Sequence, residues 1–81
     1  MKIYDYHGKK NVSGDRIREA RLKRRLTQED LAAKLQIEGV IMERDSVSRM
    51  EIGTRFVTDY ELMVLSKLLG VSLQGLVGLE E

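Results

Sequence analysis

Eighty-one residues with no cysteine and no proline, 42% apolar and 5% aromatic, make one small domain near the lower size at which an unstapled core holds. This composition excludes a disulfide framework and a thiolate metal site, and a single histidine cannot build a metal site alone. The net charge of +1 hides an asymmetry, because residues 1–34 carry ten Lys/Arg against five acids and residues 35–81 carry four against eight. The basic half is able either to meet phosphates or simply to keep a helix solvated.

Residues 1–12 show no helical pattern and read as an N-terminal arm, extended at Ile3-Tyr4-Asp5-Tyr6, with His7 an arm residue and not a ligand. The arm lacks the apolar block of a signal peptide. No run in the chain approaches the ~18 apolar residues of a membrane span, so a cytoplasmic protein is expected.

Residues 13–81 carry the punctuation of helices. Ser13 or Gly14 opens a first helix reaching about Arg25, with Ile17, Ala20 and Arg24 on one face and Arg21 at its border. Thr27 is a natural N-cap for a second, with Asp30 as an imperfect capping-box partner and Leu31, Ala32 and Leu35 as the buried stripe, ending before Gln36. A third helix starts near Glu43 to Asp45, buries Val47 and Met50, and ends where Gly53 supplies a left-handed residue. Thr58 and Glu61 form a full capping box for a fourth, which presents Leu62, Leu65 and Leu69 with Ser66 among them and closes at Gly70. Ser72 caps a last short helix presenting Leu73, Leu76 and Val77, with Gly75 and Gly78 working against it. Val64, Leu68 and Leu22 fall off the apolar faces of their helices, where a homodimer or a covering arm could bury them. The expected fold is an all-α, compact five-helix bundle.

Several spaced elements agree in order with a known family. Arg16-Ile17-Arg18, Arg21, Leu26-Thr27-Gln28-Glu29-Asp30-Leu31-Ala32, Ser46-Val47-Ser48-Arg49-Met50-Glu51-x-Gly53, Tyr60-Glu61-Leu62 and Leu68-Leu69-Gly70-Val71-Ser72 resemble the Cro/C1-type (Xre family) helix-turn-helix regulators over roughly residues 14–78. The resemblance implies a lambda-repressor-like domain whose second and third helices form the unit that reads duplex DNA. Under it, Arg44, Asp45, Ser48 and Arg49 face base edges in the major groove. Arg49 would fork onto guanine, Ser48 would contact a base or a phosphate, and Asp45 would accept from cytosine N4. Each also has a plainer alternative: Asp45 as an N-cap, Arg44 and Arg49 as partners of Glu43 or Asp45, and Ser48 as a solvated side chain.

Gln28 follows the Thr27 cap, where free backbone N–H groups and the helix dipole attract a phosphate, and the resemblance implies that it also braces the reading helix. Thr54 and Arg55 would add phosphate contacts from the following loop. Arg21 and Glu51 correspond to a partly buried ion pair joining the first helix to the third, so they belong to the fold. No arrangement of nucleophile and base, glycine-rich phosphate loop or metal cluster points to an enzyme, a cofactor or a small-molecule ligand.

One departure stands out. Nine residues, Gln36 to Arg44, separate the second and third helices by this reading, against ~3–4 in an ordinary helix-turn-helix. Their middle, Gly39-Val40-Ile41-Met42, is too apolar for a solvated loop. One or two of these residues, Ile41 first, are expected to tuck into the core as a plug; a partner patch or a wing beside the DNA is the alternative. The function the resemblance implies is sequence-specific binding of duplex DNA by the third helix of a small transcriptional regulator or repressor. The alternative is a protein-interaction module such as the antitoxin of a toxin pair, suggested by the acidic Glu43, Asp45 and Glu51 near the third helix.

Overall fold

The computed structural model describes residues 5–79, so Ile3 and Tyr4 of the expected extended piece lie outside the described residues. Five helices follow in order: α1 (Gly14–Lys23), α2 (Gln28–Ile37), α3 (Arg44–Ile52), α4 (Asp59–Leu69) and α5 (Leu73–Leu76). This is the expected all-α architecture. The only bridge among the described residues joins Tyr6 and Lys9. Their backbones exchange hydrogen bonds of 2.7 and 3.1 Å around His7 and Gly8, both at positive φ, which is a two-residue hairpin turn.

Local chemistry sets the helix ends. The Thr27 hydroxyl accepts from the Asp30 N–H at 3.0 Å and the Asp30 carboxylate accepts from the Thr27 N–H at 2.9 Å, so aspartate completes the box. Thr58 and Glu61 do the same for α4, and the Ser72 hydroxyl accepts from the Gly75 N–H to start α5. Gly53 and Gly70 close α3 and α4 in the left-handed region. Helix α1 instead closes at a non-glycine residue in that region, Arg25 at φ +58°, and stops at Lys23.

One core unites Ile17 and Ala20 of α1, Leu31 and Leu35 of α2, Val47 and Met50 of α3, Leu65 and Leu69 of α4, and Leu76 of α5. Each fully buried Leu, Ile, Val or Met side chain contributes roughly 1.5–3 kcal/mol of transfer free energy. Helix α3 packs chiefly on α2 and α1, while α5 covers α4 and α1. Val64 and Leu68 are partly buried and pack against the core from its edge, and Leu22 stays exposed. Arg24 also differs from its expected place on the buried face. It is exposed, and its Nε donates to Leu69 O at 2.9 Å at the end of α4.

The connection between α2 and α3 corrects two expectations. Helix α2 continues past Gln36 to Ile37 because Gly39, at φ +89°, supplies a Schellman ending: Gly39 N–H donates to Gln36 O at 3.0 Å and Val40 N–H to Leu35 O at 2.9 Å. Only Glu38 to Glu43, six residues, remain between the helices. The plug exists, but Ile41 is not part of it. Val40 and Met42 are each 5% exposed within the core, whereas Ile41 is 76% exposed. Burial alternates along residues 40–43 as it does in extended backbone, where successive side chains leave on opposite sides. Sending Val40 and Met42 inward therefore sends Ile41 out. Lys67 of α4 holds the connection from outside, its Nζ 3.0 Å from Glu38 Oε1.

Candidate nucleic-acid interface

The surface of α3 is positioned by a polar chain that begins in the core. Arg21 donates from Nε and Nη2 to the Glu51 carboxylate at 2.7 and 3.0 Å, and from Nη1 to Leu26 O at 2.8 Å. Both side chains of this pair are buried, more deeply than the partly buried pair the resemblance implies. The hydrogen bond to Glu51 raises the Arg21 pKa above the ordinary guanidinium value, although burial alone would lower it.

Gln28, the first residue of α2, continues the chain. Its Nε2 donates to Glu51 Oε1 at 3.1 Å, and its Oε1 faces Arg44 Nη1 at 3.5 Å. Arg44 Nη2 in turn lies 3.1 Å from Asp45 Oδ1. The start of α2 and the start of α3 lie side by side because the two helices pack on each other, and these exposed contacts decorate the junction.

The residues singled out on α3 share one region. Asp45, Ser48 and Arg49 stand at spacings of three and four, hence on one helical face. Arg44, Asp45 and Arg49 are exposed and Ser48 is half-buried. Asp45 is not the N-cap; Glu43 holds that position and makes no side-chain cap bond. Among the described residues the Arg49 guanidinium reaches only Ser46 Oγ, at 3.4 Å, a weak tether.

Past α3 the two loop residues differ. Thr54 is exposed and its hydroxyl donates to Arg49 O at 3.3 Å. Arg55 forks onto Glu61 with two hydrogen bonds of 3.0 and 3.1 Å and also donates to Phe56 O at 2.9 Å. The hydrogen bond to Glu61 raises the Arg55 pKa against the effect of burial. Burial pushes the Glu61 carboxyl up, but hydrogen bonds from Arg55 and from the Thr58 N–H outweigh it and hold the group below its usual value. The guanidinium expected at a phosphate is thus already committed to fastening the loop to α4. In the sequence Glu61 shows only as a capping residue; its second task, holding Arg55, carries no local pattern.

A helix-turn-helix places its second helix in the major groove while the first crosses the backbone. The model of the helix-turn-helix domain family matches residues 14–77, which span all five helices of this chain. No curated protein and no solved structure matches the chain. With that match running from the first residue of α1 to just past α5, the chain belongs to the helix-turn-helix domain family.

Proposed function

We propose that the protein is a small cytoplasmic transcriptional regulator of the Cro/C1 type, binding duplex DNA sequence-specifically with α3 in the major groove. The observation that carries this reading is the packing of α2 on α3, which leaves Gln28, at the start of α2, bonded to Glu51 and 3.5 Å from Arg44, beside exposed Asp45 and Arg49 and half-buried Ser48. Two helix N-termini attract phosphate through their free N–H groups and dipoles. In this reading Gln28 and Thr54 hold the DNA backbone, and Arg55 helps by shaping the loop that presents Thr54. Arg49 forks onto a guanine, Ser48 contacts a base or phosphate, and Asp45 accepts from a cytosine amino group. Arg44 exchanges its intramolecular partners for DNA.

Selection of bound sites from random duplexes, followed by titration over a range of salt, tests the proposal. A consensus with affinity falling steeply as salt rises is the expected result, since each phosphate neutralised releases a counterion. A palindromic consensus would add a homodimer. Failure to bind any duplex at low salt, with salt-independent binding to a protein, would favour the interaction-module reading. That rival has lost part of its motive: of its three acids, Glu51 is buried against Arg21, which leaves Glu43 and Asp45.

A further inference from the structure

Helix α3 is also held at its C-terminal end, by the segment that precedes α1. The Asn11 Oδ1 accepts from the N–H groups of Ser13 and Gly14 at 3.1 and 2.8 Å, taking the place of the absent Ser13 side-chain cap. Its Nδ2 donates to Met50 O in the last turn of α3 at 3.0 Å and to Arg55 O in the following loop at 2.7 Å. The junction is tight. A Cβ on Gly14 would lie 2.5 Å from Met50 O and 2.8 Å from Glu51 O, so α1 meets α3 backbone to backbone. Lys10 N–H closes the same corner, donating to Gly53 O at 2.7 Å.

We propose that Asn11 is a positioning residue for DNA reading: by tying the start of α1 to the last turn of α3, it sets the tilt at which α3 presents Asp45, Ser48 and Arg49. The proposal rests on the reading that α3 enters DNA. Nine residues of helix span about 13 Å, so a tilt of about 5° pivoting at the C-terminal end carries Arg44 about 1 Å sideways. Asp45 moves almost as far, and a hydrogen bond between Asp45 and a base edge weakens steeply over such a shift, while Arg49, nearer the pivot, moves roughly 0.4 Å.

The chemistry at position 11 demands an acceptor and two N–H donors on one short side chain, which only asparagine offers. Aspartate keeps the acceptor, and its charge suits the start of α1, but it has no donor for the Met50 and Arg55 carbonyls and repels both. Alanine loses the cap and the clamp together. Asn11→Asp therefore separates the two roles, and Asn11→Ala tests the clamp without adding charge.

Both variants are compared with the parent and with Ser72→Ala, which removes the cap of α5, at a temperature where circular dichroism shows every sample folded. The probes are the duplex selected by the parent and a scrambled duplex, and residual dipolar couplings of the α3 amides are recorded alongside. The expected result is a loss of about tenfold on the selected duplex for both position-11 variants, the size of one lost base contact. The scrambled duplex should change little with Asn11→Ala, and Ser72→Ala should keep the parent's preference. Unchanged preference in folded Asn11→Ala overturns the proposal. If the parent binds no duplex, the DNA reading fails on its own, and the couplings decide the clamp: an α3 rotated against α2 supports it, and an unmoved α3 overturns it.

Discussion

Arg21 and Glu51 join α1 to α3 through a two-point ion pair that spans thirty residues of chain and is nearly closed to water. Removing one partner of such a pair leaves a charge stranded in the core, at a cost of ~3–5 kcal/mol. Glu51→Ala should therefore melt far below the parent. Arg55→Ala should also lose stability, because Glu61 is left buried, but by less, since Glu61 keeps its bond from Thr58 and Arg55 is partly solvated. Thermal melts of the two variants that coincide would contradict this ranking.

Along the connection, Val40→Ala and Met42→Ala should each destabilise the fold, by about 1–2 kcal/mol for the smaller side chain and ~2–5 kcal/mol for methionine. Ile41→Lys should melt like the parent, because the side chain already stands in solvent. A collapse of the Ile41→Lys variant in a denaturant titration would reinstate Ile41 as the plug.

Stability should fall in acid through Glu61. Its folded pKa lies below the ordinary value of 4.5, so the unfolded chain takes up the proton first as pH drops. The contribution is complete above that ordinary value and is lost as pH falls through the lower folded one. Glu61→Gln should be less stable than the parent at pH 7 and show a flatter decline below about pH 4.5. Unfolding curves collected from pH 7 to pH 3 that stay parallel for the two proteins would count against the Arg55–Glu61 pair.

If α3 reads DNA as proposed, Arg49→Ala should lose ~1–3 kcal/mol on the selected duplex and relax one base position, while Gln28→Ala should weaken all sequences alike. Gln28→Ala should also lower the melting temperature, because its amide supports Glu51. Competition binding against a panel of single-base variants checks the first claim. Equal losses across that panel for Arg49→Ala would make Arg49 a phosphate contact.

The left-handed residue at the end of α1 offers a stabilising change. An L-residue with a side chain in that region costs roughly 1–2 kcal/mol, and Arg25 is exposed, so Arg25→Gly should raise stability by up to about 1 kcal/mol once glycine's extra unfolded freedom is subtracted. A lowered melting temperature would mean that the Arg25 side chain holds something that outweighs its backbone strain.

What could be read from the sequence was whatever is written within one helical turn. Thr27 with Asp30, Thr58 with Glu61 and Ser72 announce their helices because the capping partners sit three residues apart. The end of α2 was lost because Gln36 and Ile37 both face solvent and break the apolar stripe that marked the helix, leaving the Gly39 ending as the sole sign. The direction of Ile41 depends on where the extended backbone starts, and no local pattern fixes that. Asn11 reaches partners 39 and 44 residues away, and its role exists only once the helices have packed. The proposed DNA contacts of Gln28, Arg44, Asp45, Ser48 and Arg49 rest on family resemblance; the Gln28 bridge between Glu51 and Arg44 is geometry the sequence does not spell out.

The alternating stretch from Val40 to Glu43 also carries a parity rule. Inserting or deleting one residue there would exchange the two sides of the chain, driving Ile41 and a charged neighbour toward the space Val40 and Met42 now fill. Adding or removing two would preserve the inside and outside sets and change only the span. Lengths of this connection should thus drift among descendants of the chain in even steps, with odd steps surviving only where a bulge absorbs the extra residue.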